Sequence, residues 1–137
     1  MTAKEYLNQA RYLDREIDAK LDHVEKLNSL IYKATSTLTD MPGSPTRDHT
    51  KRERAIAKVI DLQREIDSEI DRLVDLKKEI NSVIQKIPDE ESRLLLELRY
   101  INLNTWEDIA AQMDYTVRAV HIIHGRALTE VEKLLMT

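Results

Sequence analysis

Two long stretches of the chain place apolar residues at alternating steps of four and three positions, and this spacing constrains the fold more than any other feature. The first stretch comprises Tyr6, Ala10, Leu13, Ile17, Val24, Leu27, Ile31, Ala34 and Leu38, with Lys20 interposed. The second comprises Ile56, Val59, Ile66, Ile70, Leu73, Ile80, Ile84 and Ile87, with Gln63 and Lys77 interposed. Such a heptad pattern is typical of helices that pack lengthwise against a partner helix.

The segment between the two stretches contains residues that end helices. Residues 36–50 include Pro42, Gly43 and Pro45, and proline and glycine interrupt helical geometry. We therefore expect a loop over residues 36–50. The two stretches would then form a long antiparallel helical hairpin, similar to a coiled coil, over residues 1–87.

More apolar residues lie beside the two heptad stripes than two helices can bury on each other, among them Leu7, Leu21, Leu62 and Val74. Either a second copy of the chain or the C-terminal part of the same chain must cover them, and we expect a homodimer. Lys20, Gln63 and Lys77 interrupt the stripes. They either set the register of the two helices or extend their long side chains past the edge of the apolar stripe.

Pro88 marks the start of a second domain, residues 88–137. Three acidic residues follow it, Asp89, Glu90 and Glu91, and the positive end of a helix dipole favours acids in a first helical turn. The apolar spacing then predicts three helices, at residues 89–101, 106–112 and 117–136, with a turn at residues 102–104 between the first two.

The last two of these helices have the spacing of a helix-turn-helix. Trp106, Ile109 and Ala110 lie on one face of the first helix, and Ala110 is small enough to let the two helix axes approach closely. Asp114 tolerates the left-handed conformation that a tight turn requires, and Thr116 can cap the second helix. We predict that the second helix is the one that reads DNA.

The composition and the absence of other motifs exclude several classes of protein. The 137 residues include no cysteine, and no apolar run approaches the roughly 18 residues that span a bilayer. We therefore expect a cytoplasmic protein without disulfides or a membrane segment. His121 and His124 lie three positions apart, but no acidic or cysteine partner has suitable spacing for a shared metal. We expect no metal, no cofactor and no enzymatic activity.

Four segments of the sequence resemble a known family. The segments LLLELRYI, TWEDIA and IHGRAL resemble region 4 of the housekeeping-class bacterial sigma factors, the part that reads a promoter element. Together with AIAKVIDLQREIDSEIDRLVDLKKEI, they make the whole chain similar to small phage and prophage proteins of Gram-positive bacteria, relatives of late-gene and autolysin-type transcriptional regulators. The resemblance implies a phage-type transcriptional regulator that acts in a bacterial host cell and binds promoter DNA.

The resemblance also implies a DNA-contact surface on the second helix of the motif. In sigma-like modules the outward face near the start of this helix contacts bases and phosphates in the major groove. The matching positions here are Val117, Arg118, His121 and Ile122. We expect Thr116 to meet a phosphate and Arg126 to reach the DNA backbone.

The charge of the second domain keeps an alternative function open. From Asp89 onward the sequence contains nine acidic and five basic side chains, a net charge of −4, whereas most DNA-binding modules are basic. The domain would bind DNA weakly with help from a dimer, bind it only together with bacterial RNA polymerase, or serve protein contacts. The alternative is therefore an interaction adaptor that binds RNA polymerase or a sigma factor without reading DNA itself.

Overall fold

The computed structural model describes residues 1–40 and 45–137, and all regular secondary structure in them is helical. The side chains of residues 34–40 and 45–49 lie outside the described part. The prediction of an all-α fold is confirmed. Five α-helices follow in order, α1 (Ala3–Asp40), α2 (Pro45–Ile84), α3 (Glu90–Leu96), α4 (Trp106–Met113) and α5 (Val117–Leu135), and a π-helical turn, Glu97–Ile101, directly continues α3.

The first two helices are longer than the sequence predicted. α1 continues to Asp40 and α2 begins at Pro45, so helix occupies both ends of the segment predicted as a loop. Proline fits the first turn of a helix because the amide hydrogen that it lacks has no partner there. Residues 41–44, including Pro42 and Gly43, lie outside the described part. The side chains of Ala34 and Leu38, which belong to the first predicted apolar stripe, also lie outside it.

The three shorter helices lie within a few residues of their predicted bounds, because local side chains define where they start. The side chain of Asp89 accepts a hydrogen bond from the amide of Ser92 over 3.3 Å at the start of α3. Thr105 accepts one from the amide of Asp108 over 3.2 Å at the start of α4. Such caps satisfy amide groups that have no partner within the helix.

The chain divides into two compact units, and α1 and α2 contribute to both. The two-helix unit consists of residues 15–71, and the terminal unit of residues 1–14 and 72–137. The terminal unit thus joins both ends of the predicted hairpin to the predicted second domain. Among the described residues, no helix combines the length and the hydropathy that crossing a bilayer requires.

Within the two-helix unit, α1 and α2 run antiparallel. Lys20 of α1 forms ion pairs with Glu65, at 3.6 Å, and with Glu69. Farther along α1, Ile31 lines the same cleft as Ala55, which comes earlier in α2. The hydrogen bond to Glu69 raises the pKa of Lys20. Lys20 is thus an interposed residue whose ion pairs join α1 to α2.

The buried side of this unit agrees with the predicted stripe on α1, and on α2 it agrees with the predicted stripe only in part, at Ile66. Ile17 and Val24 are buried as predicted, whereas Ile56 and Ile70 of the predicted α2 stripe are 37% and 42% exposed, and Leu62 is buried instead. α2 carries apolar residues at so many heptad positions that two neighbouring stripes satisfy the same spacing. The pairing of the helices decides which of these stripes faces α1.

The terminal unit contains an apolar core to which all five helices contribute. Its fully buried side chains are Leu7, Ala10, Ile80, Ile84, Ile87, Leu95, Leu96, Ile109, Val120, Ala127 and Val131. α5 packs against both α3 and α4. The guanidinium of Arg93 donates hydrogen bonds to the carbonyl oxygens of Ile87, at 2.6 Å, and Pro88, at 3.2 Å. These contacts hold the connection between α2 and α3 in place.

Candidate nucleic-acid interface

The turn between α4 and α5 is closed by backbone hydrogen bonds around one left-handed residue. Asp114 adopts φ 58° and ψ 39°. The amide of Tyr115 donates to the carbonyl of Ala110 over 2.9 Å, and the amide of Asp114 donates to that of Ala111 over 3.4 Å. This is the Schellman pattern that ends many helices. The predicted left-handed conformation of Asp114 is confirmed, and it determines where α5 begins.

Thr116 caps α5, as predicted. Its hydroxyl oxygen accepts a hydrogen bond from the amide of Ala119 over 3.1 Å, and its own backbone is extended, with φ −77° and ψ 158°. The first turn of α5 contains no acidic side chain. No carboxylate of that turn therefore competes with an external anion for the positive end of the helix dipole. Because Thr116 is exposed, the start of α5 is accessible to an anionic group.

The inner side of α5 anchors it to the rest of the terminal unit. Val120, Ile123, His124, Ala127 and Val131 are buried, and their spacing is that of one face of an amphipathic helix. Ala110 of α4, expected where the two helices approach, is 6% exposed. With this side fixed, the opposite side of α5 is a defined outer surface.

The outer surface carries most of the predicted contact residues. Thr116, Arg118, His121, Ile122 and Arg126 are exposed, whereas Val117 is half-buried at the margin. Arg118, His121 and Ile122 lie at positions i, i+3 and i+4, which are neighbours on one face of a helix. Ile122 is 61% exposed. The structure thus brings these three side chains together and sets Val117 apart from them.

Arg118 differs from the other basic residues of 88–137 in making neither a side-chain hydrogen bond nor an ion pair with the described residues. Arg93 and Arg99 donate to backbone carbonyls, and Arg126 and Lys133 lie within 3.9 Å and 3.4 Å of glutamates. Arg118 makes no ion pair with any of the residues that the structure describes. Its charge is therefore free to meet a ligand without first breaking an internal contact.

Arg126 lies in an acidic setting at the far side of the outer surface. Its Nη2 atom is 3.9 Å from Oε1 of Glu91. A hydrogen bond to the same glutamate raises the pKa of Tyr115. Asp89 and Glu130 line the groove that Arg126 also borders. Arg126 must leave Glu91 to reach a DNA backbone, so its contribution to binding is reduced by the lost ion pair.

Trp106 connects the π-helical turn, α4 and α5. The guanidinium carbon of Arg99 lies 4.0 Å from the centre of the Trp106 ring, within the range of cation–π contacts. The rings of His121 and His124 pack against it, with centroid distances of 4.6 Å and 4.7 Å. Trp106 is half-buried and lies at the edge of the apolar core. The contact between the two rings orients the exposed side chain of His121.

A buried hydrogen bond joins His124 to Tyr100. Oη of Tyr100 and Nε2 of His124 are 2.7 Å apart. Burial, with smaller effects from the charges of Lys4, Arg99 and His121, lowers the pKa of His124 to about 4. Burial also raises the pKa of Tyr100 to about 12. Both side chains are therefore neutral near pH 7, and they form a structural pair beneath the outer surface.

The two closely spaced histidines have separate roles in the described structure. His124 is buried against Tyr100, whereas His121 is exposed beside Trp106. In the part of the chain that the structure describes, no group of three or more histidine, aspartate or glutamate side chains is placed to hold a metal ion.

Two residues of the outer surface were missed by the sequence reasoning. Gly125 and Thr129 continue the face of Arg118 and Ile122 at steps of three and four, and both are exposed. A Cβ atom at Gly125 would meet no other atom within 4 Å, so packing does not require this glycine. Glycine in a helix costs stability but lets another molecule approach the backbone closely. The spacing alone could have identified both positions.

No protein-family model matches this chain, and neither a curated protein nor a solved structure shows significant similarity to it. A function is therefore proposed from the sequence and from the residues of the site.

Proposed function

We propose that the protein is a phage-type transcriptional regulator that binds promoter DNA through α5 and acts as a dimer through α1 and α2. Two lines of reasoning support this proposal. The sequence resembles sigma factor region 4, and α4 and α5 are joined by a short turn of the kind that helix-turn-helix proteins use. The observation that carries the proposal is the outer surface of α5, where Arg118, without an ion-pair partner among the described residues, stands beside the exposed His121 and Ile122.

The three side chains suit the chemistry of base recognition in the major groove. The guanidinium of Arg118 can donate two hydrogen bonds to O6 and N7 of a guanine, the commonest specific contact in protein–DNA complexes. The ring of His121 can donate or accept a hydrogen bond. Ile122 offers an aliphatic surface for the methyl group of a thymine. Val117, half-buried at the margin, would support the helix rather than read a base.

Contacts to the phosphates would come from the start of α5 and from its glycine. The exposed start of α5 suits a phosphate oxygen, and Gly125 allows the DNA backbone to come close. The acidic surroundings of Arg126 limit the attraction for DNA, because neutralising phosphates supplies much of the affinity of such proteins. One copy would therefore bind weakly, and two linked copies would bind a double site much more tightly.

Selection from a randomised duplex library, at low and at physiological salt, tests this function. The wild-type protein is compared with Arg118→Glu and with Lys133→Glu, which makes the same change of charge near the other end of the same helix. We expect the wild type and Lys133→Glu to enrich one motif and Arg118→Glu to enrich none, with circular dichroism showing equal helicity. No enrichment by the wild type, or an undiminished motif with Arg118→Glu, would overturn the proposal.

One observation favours a second candidate function, an adaptor that binds bacterial RNA polymerase or a sigma factor. Ile122 is 61% exposed on the outer surface, within a domain whose net charge is −4, and such a surface suits a protein partner as well as DNA. A pull-down from nuclease-treated host lysate separates the two functions. Polymerase subunits recovered with the wild type but not with Ile122→Glu would favour the adaptor, and an empty pull-down would count against it.

A further inference from the structure

α2 carries a second apolar stripe that is not covered by α1. Its six residues follow one another at steps of four, three, four, three and four, and all are exposed: Ile56, Ile60, Gln63, Asp67, Ile70 and Val74. The four aliphatic side chains are 37%, 46%, 42% and 47% exposed. At about 100° per residue, the stripe lies roughly a quarter of a turn around α2 from Leu62 and Ile66, which are buried.

The order of residues in this stripe is symmetric about the point midway between Gln63 and Asp67. In both directions along α2, two aliphatic residues come first, two polar residues follow, and two aliphatic residues come last. If two such helices lay antiparallel, Ile60 would oppose Ile70 of the other copy and Gln63 would oppose Asp67. The side-chain amide of Gln63 can donate a hydrogen bond to the carboxylate of Asp67, so each polar residue in the middle of the contact would have a partner.

We propose that this stripe is a dimer interface, in which α2 packs antiparallel against α2 of a second copy around a two-fold axis. A self-complementary surface is what an isologous contact requires. A parallel arrangement would place Asp67 against Asp67, and like charges at facing positions repel. From Ile56 to Val74 the contact would extend over about 27 Å, at 1.5 Å per residue.

This inference rests on the proposed function, which includes a dimer, and adds the face, the direction and the register of its contact. A two-fold symmetric dimer of a helix-turn-helix protein binds two-fold symmetric DNA. The motif selected by the wild type should therefore be palindromic.

Disulfide cross-linking tests the register directly, because the natural chain contains no cysteine. Ile60→Cys and Ile70→Cys chains are purified separately, mixed, and oxidised. We expect a covalent dimer from the mixture and none from either variant alone, since each cysteine would face an isoleucine in its own homodimer. Ser68→Cys, exposed on another side of α2, is the control and should not cross-link with either variant. Efficient linkage of Ile60→Cys to itself, or no linkage in the mixture, would overturn the proposal.

Analytical ultracentrifugation of the wild type, Ile60→Glu and Ser68→Glu provides an independent measurement. Ile60→Glu should weaken dimerisation about 100-fold, because each dimer loses two apolar contacts and gains two charges in the interface. Ser68→Glu adds the same charge outside the stripe and should dimerise like the wild type. A monomeric wild type at all concentrations, or equal dimerisation of Ile60→Glu and Ser68→Glu, would refute the interface.

These measurements use no DNA, so they separate failure of the interface from failure of the proposed function. Arg118→Glu should dimerise normally if the proposed interface is correct, whatever its effect on DNA binding. Loss of dimerisation in Arg118→Glu, with helicity unchanged, would contradict an interface on α2.

Discussion

The buried His124 should make the stability of the terminal unit depend on pH. Its folded-state pKa is about 4 against an ordinary value of 6.5. As the pH falls below about 6.5, the unfolded chain therefore binds a proton that the folded chain does not, and the free energy of unfolding decreases until the pH approaches 4. Between pH 7.5 and pH 5 the decrease due to this one residue is about 2 kcal/mol.

Urea titrations at several pH values measure this decrease. Trp106 is the single tryptophan of the chain and its ring centre lies 4.7 Å from that of His124, so its fluorescence reports unfolding around the histidine. His124→Gln removes the titrating group and keeps an amide next to Tyr100. It should lower the free energy of unfolding at pH 7.5, because it leaves a cavity, and abolish most of the decrease towards pH 5.

His121→Gln is the matched control, since it replaces an exposed histidine three positions away on the same helix. It should retain most of the pH dependence of the wild type. If His124→Gln lost as much stability between pH 7.5 and pH 5 as the wild type does, burial of a neutral His124 against Tyr100 would be refuted.

Two further predictions concern the backbone of the turn after α4 and of α5. Asp114 has a φ of 58°, so Asp114→Gly should leave the free energy of unfolding unchanged or raise it, whereas Asp114→Val should lower it by about 1–2 kcal/mol. Urea titration of both variants checks this, and an equal free energy of unfolding for the two variants would contradict it. The Cβ atom that Gly125→Ala adds would have no other part of the protein packed within 4 Å. The variant should therefore raise the free energy of unfolding by about 0.5–1 kcal/mol. The same variant should weaken binding to the selected duplex in a fluorescence anisotropy titration, and undiminished binding would show that DNA does not approach the backbone there.

The starts of the three short helices could be predicted because they depend on local chemistry. Asp114 tolerates the left-handed conformation, and Thr116 offers a hydroxyl to an amide three residues ahead, whatever the rest of the fold does. The resemblance to sigma factor region 4 pointed to most of the outer surface of α5, including Arg118 and His121. It omitted Gly125 and Thr129, which lie on the same face by spacing but carry no charged or amide group to attract notice.

The choice of packing surface could not be predicted, because it depends on contacts between distant parts of the chain. On α2 the stripes that contain Leu62 and Ile70 satisfy the same spacing, and only packing in the folded chain distinguishes them, by burying Leu62 and leaving Ile70 42% exposed. In the same way, no pattern in the sequence indicated that Tyr100 and His124 would meet in the core. The half-buried positions of Trp106 and Val117 likewise result from tertiary packing and not from helical periodicity.

Titration of isotope-labelled protein with duplex DNA, followed by the amide chemical shifts of the protein, is the most direct test of α5 as the reading helix. At low salt it requires no knowledge of the preferred sequence. We predict that the largest shift changes lie between Thr116 and Arg126, and that Arg118→Glu reduces them while Lys133→Glu does not. Changes centred elsewhere in the chain, or no change at saturating DNA, would contradict a DNA-binding role for this helix.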